Sequence, residues 1–441
     1  MRNRAISSLL RTTEISSSYG DESAFCYIDR ICRRIVFRGL HKLQHGQLTI
    51  SDALGCHTFG LDHHEVAGSR LSLSTIKVKI TVDNPKFYRL LLANGSIGFG
   101  EGFFMRYWCT DELVLLLRLL SRNLTVLSTV SKGMGGFAWL KGALRKYLLD
   151  KNTKLGSKRN IEKHYDLSND FFALFLDPTM SYSSARFDRE EGGLEQASLA
   201  KMDEICRSLE LKQGDHLLEI GTGWGGFAIH AARNYGCKVT TTTISTRQYE
   251  YAVRKVEESG LRDRITLLLE DYRQIPNQCE GKVFDKVVSI EMIEAVGHKN
   301  IESYLALCSR LMKSDGLMLI QSITIDDQRH EKALKTVDYI QRYIFPGGSL
   351  PCVSSLATMV KNSTEMRMLK VDDLTQDYAV TLAHWRESFD QQHLPIKELG
   401  FDQEFIRKWQ YYFNYCEAGF REKVIGCKHF LLANPQYRGH L

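Results

Sequence analysis

The chain has 441 residues, 43% of them hydrophobic and 25% charged, with a formal net charge of +6. This is the composition of a folded globular chain long enough for two domains, and it argues against wholesale disorder. The longest apolar run, LVLLLRLL at 113–120, is interrupted by Arg118 and falls far short of the roughly 18 residues that a membrane-spanning helix needs.

The opening MRNRAISSLLRTTEISSS carries basic residues around an apolar core of two leucines, so no secretory signal is expected and the chain is read as cytosolic. Its eleven cysteines show no paired CxxC spacing, as expected of reduced thiols. Residues 47–105 read as short strands and turns, including the alternating STIKVKITV at 74–82, and the apolar helical run 113–120 follows. The DHHE at 62–65 raises a metal site only to discount it: adjacent histidines on an extended segment point opposite ways, and no HxxxH spacing supports them.

From 131 to 160 the chain holds eight Lys or Arg against one acid, Asp150. Within it Phe137, Leu140, Leu144, Tyr147 and Leu148 share a helical face, with Lys141 at its edge and Arg145 and Lys146 off it. A basic amphipathic helix of this kind suits an anionic lipid surface, an interdomain linker with a solvated face, or, less well, nucleic acid. The punctuation divides the chain into an N-terminal unit (1–130), this linker (131–160) and a larger unit (161–441).

Past the linker the pattern becomes strands alternating with helices. Leu199, Met202, Ile205 and Leu209 have helical spacing; HLLEIG (216–221) and CKVTTTTI are strands flanking the helical WGGFAIHAARNY. A helix over about 246–258, then strands ITLLLE and FDKVVSI, the helix NIESYLALCSRLMK and the strand LMLIQSI complete it. Alternation of this kind predicts an α/β fold with a mostly parallel, doubly wound, Rossmann-like sheet, beside a smaller N-terminal α+β domain.

Such a sheet binds its ligand beyond the carboxyl ends of its strands, and the first such end is LLEIGTGWGGF. Gly221 and Gly223 let the backbone turn and approach a ligand closely at the start of a helix. A nicotinamide dinucleotide site would want an acid about 20 positions on for the ribose, but the next strand ends VTTTTIS. Glu219 ahead of the glycines makes E-x-G-x-G, which resembles the loop of S-adenosylmethionine-dependent methyltransferases; an NAD-dependent oxidoreductase remains a remote alternative.

Several spaced motifs then agree: HYDLSNDFFALFLDPTMSYSSARF (164–187), LLEIGTGWGGFAIHAA (217–232), LLLEDYRQI (267–275), VVSIEMIEAVGHKN (287–300), YIFPGGSLP (343–351) and YYFNYCEAGF (411–420). Together the sequence resembles the cyclopropane-fatty-acyl-phospholipid synthases, a family that includes the mycolic acid cyclopropane synthases. GSIGFGEGFFMRYW (95–108) is similar to the N-terminal domain of the bacterial phospholipid enzymes.

The resemblance implies a class I methyltransferase fold and methyl transfer from S-adenosylmethionine to a cis double bond in a phospholipid acyl chain, followed by proton loss and ring closure. Methylation without ring closure is the alternative, and a lipid-binding module without activity is a third reading. The implied cofactor contacts are Tyr182, Ser183, Glu219, Gly221, Gly223, Thr243, Gln248 and Tyr272; Gln248, three after Ser245, also fits a helix capping box.

The resemblance further implies a bicarbonate ion as proton acceptor, held near Glu294, with Ile323 as an apolar wall. Ser184, Gln321 and Arg386 stand where many members have cysteine, histidine and tyrosine, so the polar surroundings of that ion differ in this chain. Tyr165 is expected as an aromatic wall for a cation, and Cys416 in YCEAGF is a candidate nucleophile or base whose other reading is structural. Glu291 reads as local scaffold with cofactor proximity open. The expected setting is the cytoplasmic face of the membrane, with peripheral contact to the phospholipid bilayer through 131–160; no nucleic acid is expected and a homodimer is left open.

Overall fold

The structure is a computed structural model in which residues 25–60, 76–125, 127, 167–187, 192–278 and 283–439 are described. Two sheets organise it. A four-stranded sheet in the order β2-β1-β3-β4 comprises β1 (Gln47–Asp52), β2 (Gly55–Phe59), β3 (Lys77–Val82) and the short β4 (Trp108–Cys109). β3 buries Val78, Ile80 and Val82 on one face and exposes Lys77 and Lys79 on the other, the period of two expected of a sheet with one wet side.

The second sheet has seven strands in the order β10-β11-β9-β8-β5-β6-β7. β5 (His216–Ile220), β6 (Lys238–Thr243), β7 (Ile265–Leu269), β8 (Phe284–Ile290) and β9 (Met312–Ile325) pair in parallel, as the alternation of strands and helices predicts. β11 (Ile425–Ala433) and β10 (Arg367–Asp373) close that edge antiparallel, which the sequence pattern did not anticipate. Strands β5 and β8 are neighbours although β6 follows β5 in sequence, so the winding reverses between them. At such a reversal the loops after the two strands diverge and leave a crevice.

The run of threonines in β6 is buried, and its hydroxyls are used internally. Thr241 donates to Glu219 (2.6 Å) and shares a hydrogen bond with Thr222 (2.7 Å), and Thr240 bonds His216 across the strand pair (2.8 Å). Gly226 opens the helix Gly226–Tyr235, where a Cβ would meet the Thr179 carbonyl oxygen at 2.4 Å, so only glycine admits the 177–183 loop this close.

The helix over Leu194–Ser208 corrects one expectation: Leu199 is 38% exposed, while Lys201 is buried on the inner face with Met202 and Ile205. The N-terminal unit packs directly on the C-terminal helices. Glu422 pairs with Arg118 (2.6 Å) and Arg122 (2.8 Å) of the helix Leu113–Arg122, and Tyr343 donates to Glu101 (2.5 Å) of the helix Lys86–Phe104. At Gly100 of that helix a Cβ would strike the rings of Tyr339 and Tyr411, so the missing side chain allows the close approach. No helix among the described residues is long and apolar enough to cross a membrane.

Candidate active site

One large cavity of 1410 Å³ begins at the carboxyl ends of β5, β6 and β8 and extends to the N-terminal sheet. At the strand ends it is lined by Glu219, Gly221, Gly223, Thr243, Gln248 and Tyr272; at the far end by Leu48, Ile50, Ile80 and Phe87. Single-ligand pockets usually occupy about 300–1,000 Å³, so the space is large enough for two substrates.

The strand-end portion is shaped for a ligand. Gly221 adopts φ +105, a conformation strained for any side chain, and Gly223 adopts φ +53 with open space where a Cβ would stand. Ser245 caps the helix Thr246–Glu258 by accepting from the Gln248 amide (3.3 Å), but the capping box is not closed: the Ser245 amide donates to Thr243 (3.2 Å), and the Gln248 side chain turns inward to accept from Thr243 (3.0 Å) and line the cavity. Tyr272 lies edge-on to Tyr304, with centroids 5.2 Å apart, and burial pushes its hydroxyl up to about 12. Burial likewise holds the Glu219 carboxyl up at about 8, against the pull of Thr241 and Lys201. Tyr182 lines the cavity with its ring 5.2 Å from that of Phe172, and its hydroxyl shares a hydrogen bond with Tyr412 (3.0 Å).

Deeper in lie two acids. Glu294 follows β8 at the start of a short helix, and one of its oxygens accepts from the Ile323 amide (2.6 Å) and the Ser322 hydroxyl (2.9 Å) of β9. Its other oxygen is buried without a partner, and the residue lines the cavity. Burial, then the charge of Glu291, raises its carboxyl to about 8.

Glu291 takes the opposite position, with every oxygen engaged. Oε1 accepts from the Ser184 amide (2.9 Å) and the Gln321 side-chain amide (2.7 Å), and Oε2 accepts from the Tyr378 hydroxyl (2.6 Å). Gln321 is fixed in turn, because its own oxygen accepts from His429 (2.9 Å), an imidazole that burial holds neutral at about 3. Burial raises the Glu291 carboxyl, while Tyr378, Ser184, Gln321 and the Lys201 charge all favour its ionised form. Its backbone stands at φ +49, rare and strained for glutamate.

Lys201 completes the group. It is fully buried, donates to the Ser183 hydroxyl (2.8 Å) and lines the cavity; burial lowers its proton affinity, while Glu291, Asp177 and Glu219 raise it. Neither Lys201 nor Tyr378 was anticipated from sequence.

The remaining expected residues fare differently. Ser184 and Gln321 are fully buried behind Glu291, and the Ser184 hydroxyl donates to the Ala185 carbonyl instead of facing the cavity. Arg386 is corrected outright: it pairs with Glu417 (2.9 Å) on the helix Gln403–Arg421 and lies away from the cavity. Along the helix Thr375–Gln391 the inward stripe is Tyr378, Leu382 and Trp385, and Arg386, one position past Trp385, rotates about 100° off it. From this helix it is Tyr378, and not Arg386, that lines the cavity and reaches Glu291. Cys416 lines the cavity, but burial and Asp338 push its thiol up, which leaves it a poor nucleophile. Tyr165, the DHHE stretch and all of 131–160 lie outside the described residues. Among the described residues no His, Cys, Asp or Glu cluster could hold a metal.

A doubly wound sheet with a glycine-rich loop at its first strand end is the architecture of a class I S-adenosylmethionine-dependent methyltransferase, the class of the solved structures it matches. The comparisons narrow this. The family model of mycolic acid cyclopropane synthetase matches residues 152–430. Tuberculostearic acid methyltransferase UfaA1 of Mycobacterium tuberculosis is 37% identical over 75% of this chain and 77% of its own. The cyclopropane-fatty-acyl-phospholipid synthase of Escherichia coli is 33% identical over 82% of this chain and 91% of its own. The crystal structure of mycolic acid cyclopropane synthase CmaA1, complexed with SAH and CTAB, superposes with a TM-score of 0.58 at 30% identity over 63% of this chain and 98% of that one. The chain belongs to the mycolic acid cyclopropane synthetase family.

Proposed function

We propose that the protein transfers a methylene from S-adenosylmethionine to a cis double bond in the acyl chain of a membrane phospholipid and closes it to a cyclopropane. The observation that carries this reading is one cavity in which the glycine-rich loop, an acid with an unpartnered oxygen and an apolar arm meet.

S-adenosylmethionine supplies an electrophilic methyl when bound. Tyr182, Ser183, Glu219, Gly221, Gly223, Thr243, Gln248 and Tyr272, which line the cavity, would hold it. An alkene is a weak nucleophile, so it must be held close to that methyl and away from water that would trap the alkyl cation. Tyr182, Phe345, Tyr378 and Tyr412 line the cavity here and offer aromatic faces to positive charge. The unpartnered oxygen of Glu294 then receives a proton from the transferred methyl group, and the released C–H electron pair closes the ring. The residues present do not fit a bicarbonate ion, because the donors that would hold it already donate to Glu291.

Access from a bilayer is supported by the rim. Arg329, Lys332, Lys335 and Lys423 line the cavity where Lys332, Lys335 and Lys423 are exposed, a charge suited to lipid phosphates. On this reading residues 1–130 form a lipid-associated domain and 131–160 a further contact with the cytoplasmic membrane surface; a homodimer is open. Closure of the ring has one competitor, since a 37%-identical relative is named a tuberculostearic acid methyltransferase.

The test is incubation with labelled S-adenosylmethionine and vesicles of cis-unsaturated phospholipid, then mass spectrometry of the fatty acids. A gain of one methylene with ring fragmentation supports the proposal. An open-chain methyl or methylidene product overturns ring closure, and the absence of label in lipid overturns the acyl substrate.

A further inference from the structure

The donors around Glu291 form a small anion-binding cup: the Ser184 amide, the Gln321 side-chain amide and the Tyr378 hydroxyl converge from three separate elements within 2.6–2.9 Å of one carboxylate. The cup is itself braced. His429 donates to the Gln321 oxygen, which turns the Gln321 nitrogen toward the acid, and Lys201 adds a positive charge from the helix Leu194–Ser208. The carboxylate reaches this cup from a backbone at φ +49, where glutamate is held only at a cost.

We propose that the Glu291 carboxylate is a built-in replacement for a diffusible anion at this site, so that the chain turns over without bicarbonate. Resting on the reading of the site as an acyl-chain methyltransferase, the proposal assigns Glu291 two effects. It fills the cup permanently, and its negative charge faces both the alkyl cation and Glu294. No bond to Glu291 forms or breaks: the proton leaving the methyl carbon goes to Glu294, and Glu291 acts through it as a positioning residue. Burial first, and then the like charge held beside it, raises the proton affinity of Glu294.

The charge also explains why Gln321 suits this chain. A glutamine is neutral at every pH and presents one donor to the acid while accepting from His429, so the cup does not titrate away.

Two arms test the idea, with Glu291→Gly as the main variant because glycine accepts the positive φ without strain. In the first, calorimetry with bicarbonate alone needs no turnover. The wild-type protein is expected to bind none and Glu291→Gly to bind it, with Tyr378→Phe in the same background weakening that binding. In the second, labelled methyl transfer to unsaturated phospholipid vesicles is followed in carbon-dioxide-free buffer, with and without added bicarbonate. The wild-type rate is expected to stay unchanged. That of Glu291→Gly falls by about 100-fold and recovers at least about tenfold with bicarbonate, the size of loss expected when a preorganised charge beside the reacting centre is removed and then restored. The rise of its activity with pH, set by ionisation of Glu294, moves to lower pH as the like charge is removed.

Bicarbonate binding to the wild type, a wild-type rate that falls when bicarbonate is removed, or a Glu291→Gly variant at full rate without it each overturns the proposal. If no lipid is labelled by any form, the acyl-substrate reading fails, while the calorimetric arm still decides whether Glu291 occupies an anion site.

Discussion

Replacement of Glu294 by glutamine separates chemistry from folding. In the native protein one carboxyl oxygen accepts from Ile323 and Ser322, and the other has no partner. Glutamine keeps the accepting oxygen and the shape but cannot take up a proton. Turnover of Glu294→Gln is therefore expected to fall by about 100-fold or more, the usual worth of a positioned base. Stability moves the other way. Because burial and Glu291 raise the carboxyl from 4.5 to about 8, the folded state holds this proton more tightly than the unfolded chain does between those values. The resulting stabilisation is complete below about pH 4.5 and is lost as pH rises to about 8. At about 1.4 kcal/mol per unit, the gap bounds the loss on the order of 5 kcal/mol. Glu294→Gln abolishes this contribution, so denaturant midpoints of wild type and variant should run parallel below about pH 4.5, separate progressively in favour of the variant up to about pH 8 and stay apart above it. In the wild type, methyl transfer should rise as pH passes through about 8, as Glu294 ionises. Near-normal turnover of Glu294→Gln, or parallel stability curves for the two proteins, would refute the assignment.

Two other substitutions probe its surroundings. Lys201→Met removes the buried cation facing Glu219 and Glu291; breaking a buried charge group from one side is expected to cost about 3–5 kcal/mol in urea denaturation, and unchanged stability would remove Lys201 from the electrostatics of the site. Arg386→Met breaks the pair with buried Glu417, which keeps Arg421 at 2.8 Å, so a loss of about 1–3 kcal/mol with kcat within about threefold is expected. A tenfold fall in kcat at unchanged stability would return Arg386 to the chemistry.

The sequence was informative wherever a local pattern carries the physics. Strand and helix periods and the glycines after HLLEI are short-range signals, and the parallel sheet and the loop geometry followed from them, while the choice of Glu294, which lines the cavity, came from the resemblance of MIEAVG to the family. Leu199 shows the limit of the same reasoning. An amphipathic stripe ranks side chains by polarity, yet on this helix a lysine is inside and a leucine is outside, because Ser183, Glu219 and Glu291 supply the partners that a buried ammonium needs.

The surroundings of Glu294 depended on segments far apart in the chain. Ser184, Glu291, Gln321, Tyr378 and His429 come from one loop, two strands, one helix and one strand end, and nothing in any single stretch says that their polar atoms converge. Position 386 misled because its neighbour Trp385 does face inward, and one residue on a helix is enough to turn a side chain to another partner, here Glu417. Glu291 itself read as scaffold. Its importance rests on hydrogen bonds that form only when β8, β9 and the helix Thr375–Gln391 are packed together, since a buried carboxylate is tolerable only where such donors arrive from several directions at once.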